Sequence, residues 1–433
     1  MNLAIIGFIL MFVLMFVLIK DKLSPPVAFI LLPLTAAVLG GFGIEEISGF
    51  VKTGLNTMLN TAVLFIFSIS YFTLMSDAGL FDPIINFLIK RVGKNVTAVL
   101  FAVVITTFVA HLDGSGATTF LIVVPAFLPI CKKLKVRPEA LLGTMCGMYG
   151  VMNIVPWGGP TMRAASVIGI EVSELYQFIM PSIAIMVVLA FAIAFVIARI
   201  EIKNGAGVPE GGLVLLHRRE EGETNRGNRK LYWFNLVLTA VMLVLLFVDM
   251  GLPLHLIFMV SFCIALPVNF PCVSDQTKQL KSYASSAMIM TMTLFSVGIF
   301  MGVIKDSGMV EAMATAIVNV LPPGVAPHMH WYMALFAVPL IMILGTDAFY
   351  YALMPIILGV VGQFGISPQV VAATFLLTAT LGTPISPSVA AVYVGLGLAG
   401  TTIGNHIKYS LRILWPASII LLAASTVVGV IRF

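Results

Sequence analysis

Apolar stretches of membrane-crossing length, separated by short polar or basic connections, run along almost the whole chain. Read as helices, they fall near residues 2–19, 26–42, 61–77, 138–169, 181–200, 231–249, 253–271, 284–304, 370–398 and 413–431. A helix needs about 20 apolar residues to cross the hydrocarbon of a bilayer. Two of the runs read as broken at a proline, Pro156 and Pro384, where the missing backbone donor weakens a helix. Two more apolar segments, near 95–131 and 331–361, are divided by small polar residues and read as helical hairpins. The stretches 44–60 and 80–91 mix apolar and polar positions in the manner of amphipathic surface helices.

The pattern occurs twice. Asp113-Gly-Ser-Gly-Ala-Thr-Thr-Phe120 leads to Pro125, and Gly345-Thr-Asp-Ala-Phe-Tyr-Tyr351 leads to Pro355. Each polar kink is followed by a Pro-rich break, Pro156-Trp-Gly-Gly-Pro160 in the first half and Thr383-Pro-Ile-Ser-Pro-Ser388 in the second. Ahead of them, Tyr71-Phe-Thr-Leu-Met-Ser-Asp-Ala-Gly79 returns as Phe300-Met-Gly-Val-Ile-Lys-Asp-Ser-Gly308. Secondary transporters are commonly built from such repeats, with interrupted helices meeting near the bilayer midplane to form the substrate site.

Composition agrees with a membrane protein. Hydrophobic residues make up 60% of the 433 positions and charged residues 10%, a balance that excludes a soluble domain of this size. Residues 1–19 lack a basic leading region and a small-residue cleavage site, so they read as a retained span and not a signal peptide. Cys131, Cys146, Cys263 and Cys272 show neither C-x-x-C nor Cys/His spacing, which argues against a disulfide framework and a structural zinc site.

The net charge of +5 is informative through its placement. Lys90, Arg91, Lys94, Lys132, Lys133, Lys135 and Arg137 flank the first hairpin, whereas the flanks of the second hold no Lys or Arg. Basic residues mark the cytoplasmic side, so the first hairpin opens inward and the second outward. Following the chain from that anchor leaves only Lys52, Arg163, Lys305 and Arg432 off the inner side. Both termini then lie outside a bacterial-type inner membrane. Each half crosses five times, and the odd number inverts the second repeat relative to the first. Residues 1–203 form the first repeat, the hydrophilic stretch 204–230 a cytoplasmic linker and 231–433 the second repeat. The expected fold class is an all-α polytopic membrane protein of two inverted repeats, each with five spans and one re-entrant hairpin. The arms 95–111 and 117–131 would measure about 26 and 23 Å against roughly 30 Å of hydrocarbon, which favours re-entrant hairpins over two full spans joined by a tight turn.

Four helix breaks would then converge, and their free N–H groups, hydroxyls and positive dipole ends suit an anion. Candidate substrate ligands are Ser115, Gly116, Thr118, Thr119, Gly158, Gly159, Thr346, Thr383, Ser386 and Ser388. Arg163, at the start of a half helix, either grips a carboxylate with its planar fork or snorkels to outer headgroups. Asp113 and Asp347, at the two tips, are candidates for a proton or a metal ion; the other reading of Asp113 is an Asx turn. Asn153, just before the first break, caps or coordinates. His111 reads as a hydrogen-bonded structural residue and not a relay. No nucleotide-binding loop, H-E-x-x-H motif or nucleophile elbow is present, so neither an enzyme nor a nucleic-acid partner is expected, and transport must run on ion gradients.

Leu112-Asp-Gly-Ser-Gly-Ala-Thr-Thr119, Val151-Met-Asn-Ile-Val-Pro-Trp-Gly-Gly-Pro-Thr-Met-Arg-Ala-Ala-Ser166 and Leu74-Met-Ser-Asp-Ala-Gly-Leu-Phe-Asp-Pro-Ile84 resemble the signatures of the citrate/divalent-metal:proton symporter family, within the ion transporter superfamily. The resemblance covers essentially the whole chain. It implies a homodimer working by an elevator mechanism, with scaffold parts at about 1–94 and 231–320 and transport parts at about 95–180 and 321–412. It also implies symport of citrate, or a related di- or tricarboxylate, complexed to a divalent cation of the magnesium or calcium type and coupled to protons. No permanently bound cofactor is implied.

The related sodium-coupled dicarboxylate carriers place Ser-Asn-Thr at both tips, where this chain has Ser115-Gly116-Ala117 and Gly345-Thr346-Asp347. Loss of both Asn residues points away from sodium, and the added Asp points to protons or a metal. The position of Ser115 is often acidic in the citrate family, which leaves another organic acid, or citrate with a different cation, open. A cation/proton antiporter or metalloid oxyanion exporter on the same scaffold, with Arg163 structural, is the alternative.

Overall fold

The computed structural model describes residues 3–20, 22–81, 83, 87, 95–207, 229–247, 252–322 and 324–433. These form α-helices joined by short 3-10 and π segments, with no strand among the described residues. Helix α1 spans Leu3–Ile19 and α2 Pro25–Leu39, the latter starting on prolines at the first turn, where a missing N–H costs no hydrogen bond. Most of the expected surface helix at 80–91 and most of the 204–230 linker fall outside the described residues.

Residues 44–77 differ from expectation. Instead of a surface helix followed by a separate span, Ile44–Asp77 is one continuous helix, α3. Its start is fixed by Glu46, whose carboxylate accepts from the Gly43 amide at 2.7 Å, and acidic residues in the first turn suit the helix dipole. The glycine that weakens the middle of its apolar pattern serves packing. A Cβ on Gly54 would lie 1.9 Å from the Gly298 carbonyl oxygen, so α3 crosses its neighbour backbone to backbone.

The first hairpin has arms α4 (Val96–Ala110) and α5 (Gly116–Lys133). The Asn95 carboxamide caps α4 by accepting from the Thr97 amide at 2.9 Å, and Lys132 and Lys133 end α5 where cations favour the dipole. The first broken helix is α6 (Pro138–Met152) and α7 (Gly159–Ile168), followed by α8 (Val172–Lys203).

The second half repeats the order with α9 (Arg229–Phe247), α10 (Leu254–Asn269) and α11 (Val273–Asp306), the last matching α3 in length. Helix α12 (Met309–Val320) is an element the pattern of apolar runs does not reveal, because its twelve residues are too few for a span. The second hairpin comprises α13 (Met329–Leu335), α14 (Ala337–Asp347), a π segment over Ala348–Leu353 and α15 (Met354–Gly362). Its tip is Gly345, with φ 74° and ψ 168°, a backbone state open essentially to glycine alone. The second broken helix is α16 (Pro368–Ala379), a 3-10 turn at Thr383–Ile385 and α17 (Ala390–Ala399), and α18 (Ile403–Val427) closes the chain.

Among the described residues seven helical stretches are long and apolar enough to cross a membrane by length and composition, and the remainder include shorter apolar helices. Two packing groups result. Helices α2, α3, α10 and α11 pack on one another, with Phe29 edge-on to Phe300 and Phe72 against Phe258. In the other group each hairpin packs against the half helix of the opposite repeat, α5 on α17 and the π segment on α7.

Candidate substrate-binding site

At the first tip the Asp113 carboxylate accepts from the Ser115 amide at 2.8 Å, which makes the Asx turn. Ser115 then caps α5: its Oγ accepts from the Thr118 amide at 3.3 Å and from the Thr118 hydroxyl at 2.9 Å. Thr119 donates its hydroxyl to the Ser115 carbonyl at 2.8 Å, leaving its oxygen to accept from His111 Nδ1 at 2.6 Å. On the far side of the imidazole, Nε2 lies 3.3 Å from the Asn153 amide group. A neutral ring whose Nδ1–H goes to Thr119 presents Nε2 as an acceptor, and turning the NH2 of Asn153 to the ring gives that otherwise unpartnered buried nitrogen its bond. Trp157 Nε1 donates to the Leu112 carbonyl at 2.8 Å. The first tip and the first break are therefore one hydrogen-bonded unit.

At the second tip, Ser386 Oγ donates to the Met342 carbonyl at 3.3 Å and pairs with Ser388 Oγ at 2.7 Å. A Cβ on Gly345 would lie 3.1 Å from Ser388 Oγ, so tip and break are in contact here too.

The two units are joined across the repeats. Arg163 Nε donates to Asp347 Oδ1 at 2.8 Å, tying α7 to the second tip. Gly159 makes room for that guanidinium, since a Cβ there would sit 2.7 Å from Arg163 Nη1. In the other direction, Gly116 at the first tip faces Ala391 at the start of α17, its Cβ position 3.1 Å from the Ala391 side chain. All four breaks meet in a ring: first tip to first break, first break to second tip, second tip to second break, second break to first tip.

The structure thus brings Asp113, Ser115, Gly116, Thr118, Thr119 and Asn153 together on one side, and Arg163, Thr346, Asp347, Ser386 and Ser388 on the other. Gly158 is a backbone necessity, because a Cβ there would fall 2.3 Å from the Asn153 carbonyl oxygen. Thr383 is buried with its hydroxyl unpartnered, as are Thr380 and Tyr350. Arg163 is not snorkelling: its side chain is 11% exposed and engaged with Asp347. Asp113 and Asp347 are engaged separately, and among the described residues there is no group of three or more His, Cys, Asp or Glu side chains that could hold a metal ion.

Reading the sequence alone undervalues several residues here. His111 is the bridge between tip and break, and the Tyr149 ring packs against it at a 45° tilt with ring centroids 4.2 Å apart. Gly345, not Thr346 or Asp347, makes the second turn; its signal is a lone glycine in an apolar run. Tyr350 and Tyr351 are buried aromatic residues directly after the tip.

The CitMHS profile, described as citrate transporter, matches residues 13–382. The chain belongs to the CitMHS citrate transporter family. It is 31% identical over 437 residues to a citrate transporter of Bacillus subtilis, covering 100% of both chains. It is also 31% identical over 440 residues to a Mg(2+)/citrate complex secondary transporter of the same organism, covering 99% of each. Among solved structures, the YdaH transporter of Alcanivorax borkumensis has the same fold, with a TM-score of 0.56 at 16% identity over 89% of this chain and 87% of that one. MtrF of Neisseria gonorrhoeae matches with a TM-score of 0.56 at 13% identity, over 88% and 82% of the two chains. Membership of the citrate transporter family agrees with the apolar spans: the chain is an integral membrane transporter.

Proposed function

We propose that this protein is a symporter that takes up citrate, or a closely related di- or tricarboxylate, as a complex with a divalent cation, coupled to protons. The observation that supports the reading best is the ring of four helix breaks around Arg163 and Asp347 in a member of the citrate transporter family. The starts of α5, α7 and α17 bring free N–H groups and positive dipole ends to one place, which suits an anion. Among the described residues no three or more His, Cys, Asp or Glu side chains group together, and a cation held by the substrate's own carboxylates needs no such group, in line with the magnesium–citrate relative.

Arg163 and Asp347 supply the coupling. An incoming carboxylate competes with Asp347 for the guanidinium fork, which binds carboxylates with two parallel bonds. Once Asp347 loses its cationic partner away from water, binding a proton removes an uncompensated charge. Substrate capture and proton capture thereby become one event. Asp113, with one oxygen already serving the Ser115 amide, is the second candidate for a proton.

The hairpins are re-entrant in this reading, and the second opens on the side where both termini lie, outside the bacterial inner membrane. The group α2, α3, α10 and α11 forms the scaffold of a homodimer, and the hairpins with the broken helices form the transport part that moves as an elevator.

Uptake of labelled citrate into proteoliposomes under an inward proton gradient, with magnesium or calcium and then with chelator, tests the reading. Metal-dependent, gradient-driven uptake is expected. Folded protein that takes up no citrate under any of these conditions would overturn it.

A further inference from the structure

Helices α3 and α11 occupy equivalent places in the two repeats: the offset that carries Tyr71 onto Phe300 carries Ile44 onto Val273 and Asp77 onto Asp306. The same offset pairs Gly54 with Tyr283. At the Asp77 end of the crossing, the hydroxyl of buried Tyr283 donates to the Asp77 carboxylate at 3.3 Å and fills the corner between the helices. At the Asp306 end the counterpart of Tyr283 is Gly54, which has no side chain to reach across. The corner is open. A cleft of about 60 Å³ takes its place, lined by Thr53, Gly54, Thr57, Ser166, Lys305 and Asp306 among others.

Lys305 and Asp306 are exposed, and among the described residues neither side chain is held in an ion pair or hydrogen bond. Ser166 lies one turn beyond Arg163 on α7 and donates to its carbonyl at 2.7 Å, so the cleft backs onto the arginine of the central site. Lys305 is also one of the few basic residues that the positive-inside pattern leaves on the other face.

We infer that this cleft is an outer docking subsite for a metal–carboxylate complex on its way to Arg163, with Lys305 meeting a carboxylate and Asp306 the cation. Neighbouring, uncommitted Lys and Asp side chains suit a ligand that itself presents both signs, and charged mouths raise the rate of capture in a manner that salt suppresses. The inference rests on the proposed metal–carboxylate symport.

Citrate uptake by proteoliposomes with magnesium, at low and high ionic strength, tests it. Lys305→Gln is expected to raise the KM for citrate about three- to tenfold at low salt with little change in maximal rate, and to remove most of the salt dependence. Asp306→Asn is expected to raise the magnesium concentration for half-maximal uptake. Lys281→Gln, near the other end of α11, is the control and should match the parent. If the parent protein takes up no metal citrate, the proposed symport fails. If the parent does and both variants keep its KM and salt dependence, the docking subsite is overturned.

Discussion

Arg163 and Asp347 stand 184 positions apart in the chain and meet at 2.8 Å, the guanidinium Nε donating to the carboxylate across the boundary between the two repeats. Removing one partner of a buried pair leaves an uncompensated charge, at about 3–5 kcal/mol for full burial; Asp347, with a side chain 24% exposed, belongs at the low end. Arg163→Gln should therefore lower the melting temperature of the detergent-purified protein. The double variant with Asp347→Asn should recover most of that loss and none of the citrate uptake. Uptake at parental rates by Arg163→Gln would remove the arginine from substrate binding.

Asp347→Asn separates coupling from binding. It keeps a polar group of the same size beside Arg163 but cannot exchange a proton. Uptake driven by a pH gradient should be abolished, while exchange of labelled for unlabelled citrate across the membrane persists. Gradient-driven uptake at the parental level would take Asp347 out of the coupling step.

Gly345→Ala tests the second tip. At φ 74° and ψ 168° an alanine is strained by about 1–3 kcal/mol, and its Cβ would press on Ser388 Oγ at 3.1 Å. A lower melting temperature with a larger loss of uptake is expected, because the strain falls on the contact between tip and break. Gly362→Ala, in a right-handed helix with open space around it, should leave both unchanged.

His111→Leu removes the bridge between the first tip and the first break. The bonds to Thr119 and Asn153 are both lost inside the protein; Thr119 keeps its bond to the Ser115 carbonyl, and the buried Asn153 carboxamide left unsatisfied costs about 1–3 kcal/mol. Thermal unfolding should show a marked loss of stability. A fall in stability no larger than that of a surface substitution would mean that the bridge holds nothing.

Gly54→Leu should separate α3 from α11. Even a Cβ at this position would fall 1.9 Å from the Gly298 carbonyl oxygen, and backbone cannot swing aside as a side chain does. The expected result is poor recovery of folded protein; Asn56→Leu, at an exposed position of the same helix that does not line the cleft, should be tolerated.

Much of this was legible in one dimension because lipid imposes simple rules. Pro156 and Pro384 mark their breaks because each stands with a second proline, Pro160 or Pro387, among small and polar residues, whereas lone prolines such as Pro33, Pro181 and Pro416 lie inside unbroken helices; the repeated Asp-x-Gly ends of α3 and α11 show through despite little shared sequence around them. The continuity of 44–77 is not legible, since the mixed apolar and polar positions of 44–60 suit a surface helix as well as the first turns of a long one. That Gly54 serves a helix crossing is revealed only by the position of Gly298. Helix α12 is not legible in the sequence because its twelve residues leave no clear apolar run.

By itself the sequence determined the all-helical membrane architecture, the order of the two repeats, the places where helices break and the family, all properties of local composition and spacing. Tertiary structure decided the partners. Asp347 faces Arg163, His111 faces Asn153, and Gly345 lies under Ser388 because each hairpin packs on the half helix of the opposite repeat. Those pairings depend on distances between residues far apart in the chain, and hydropathy and spacing carry no record of such distances.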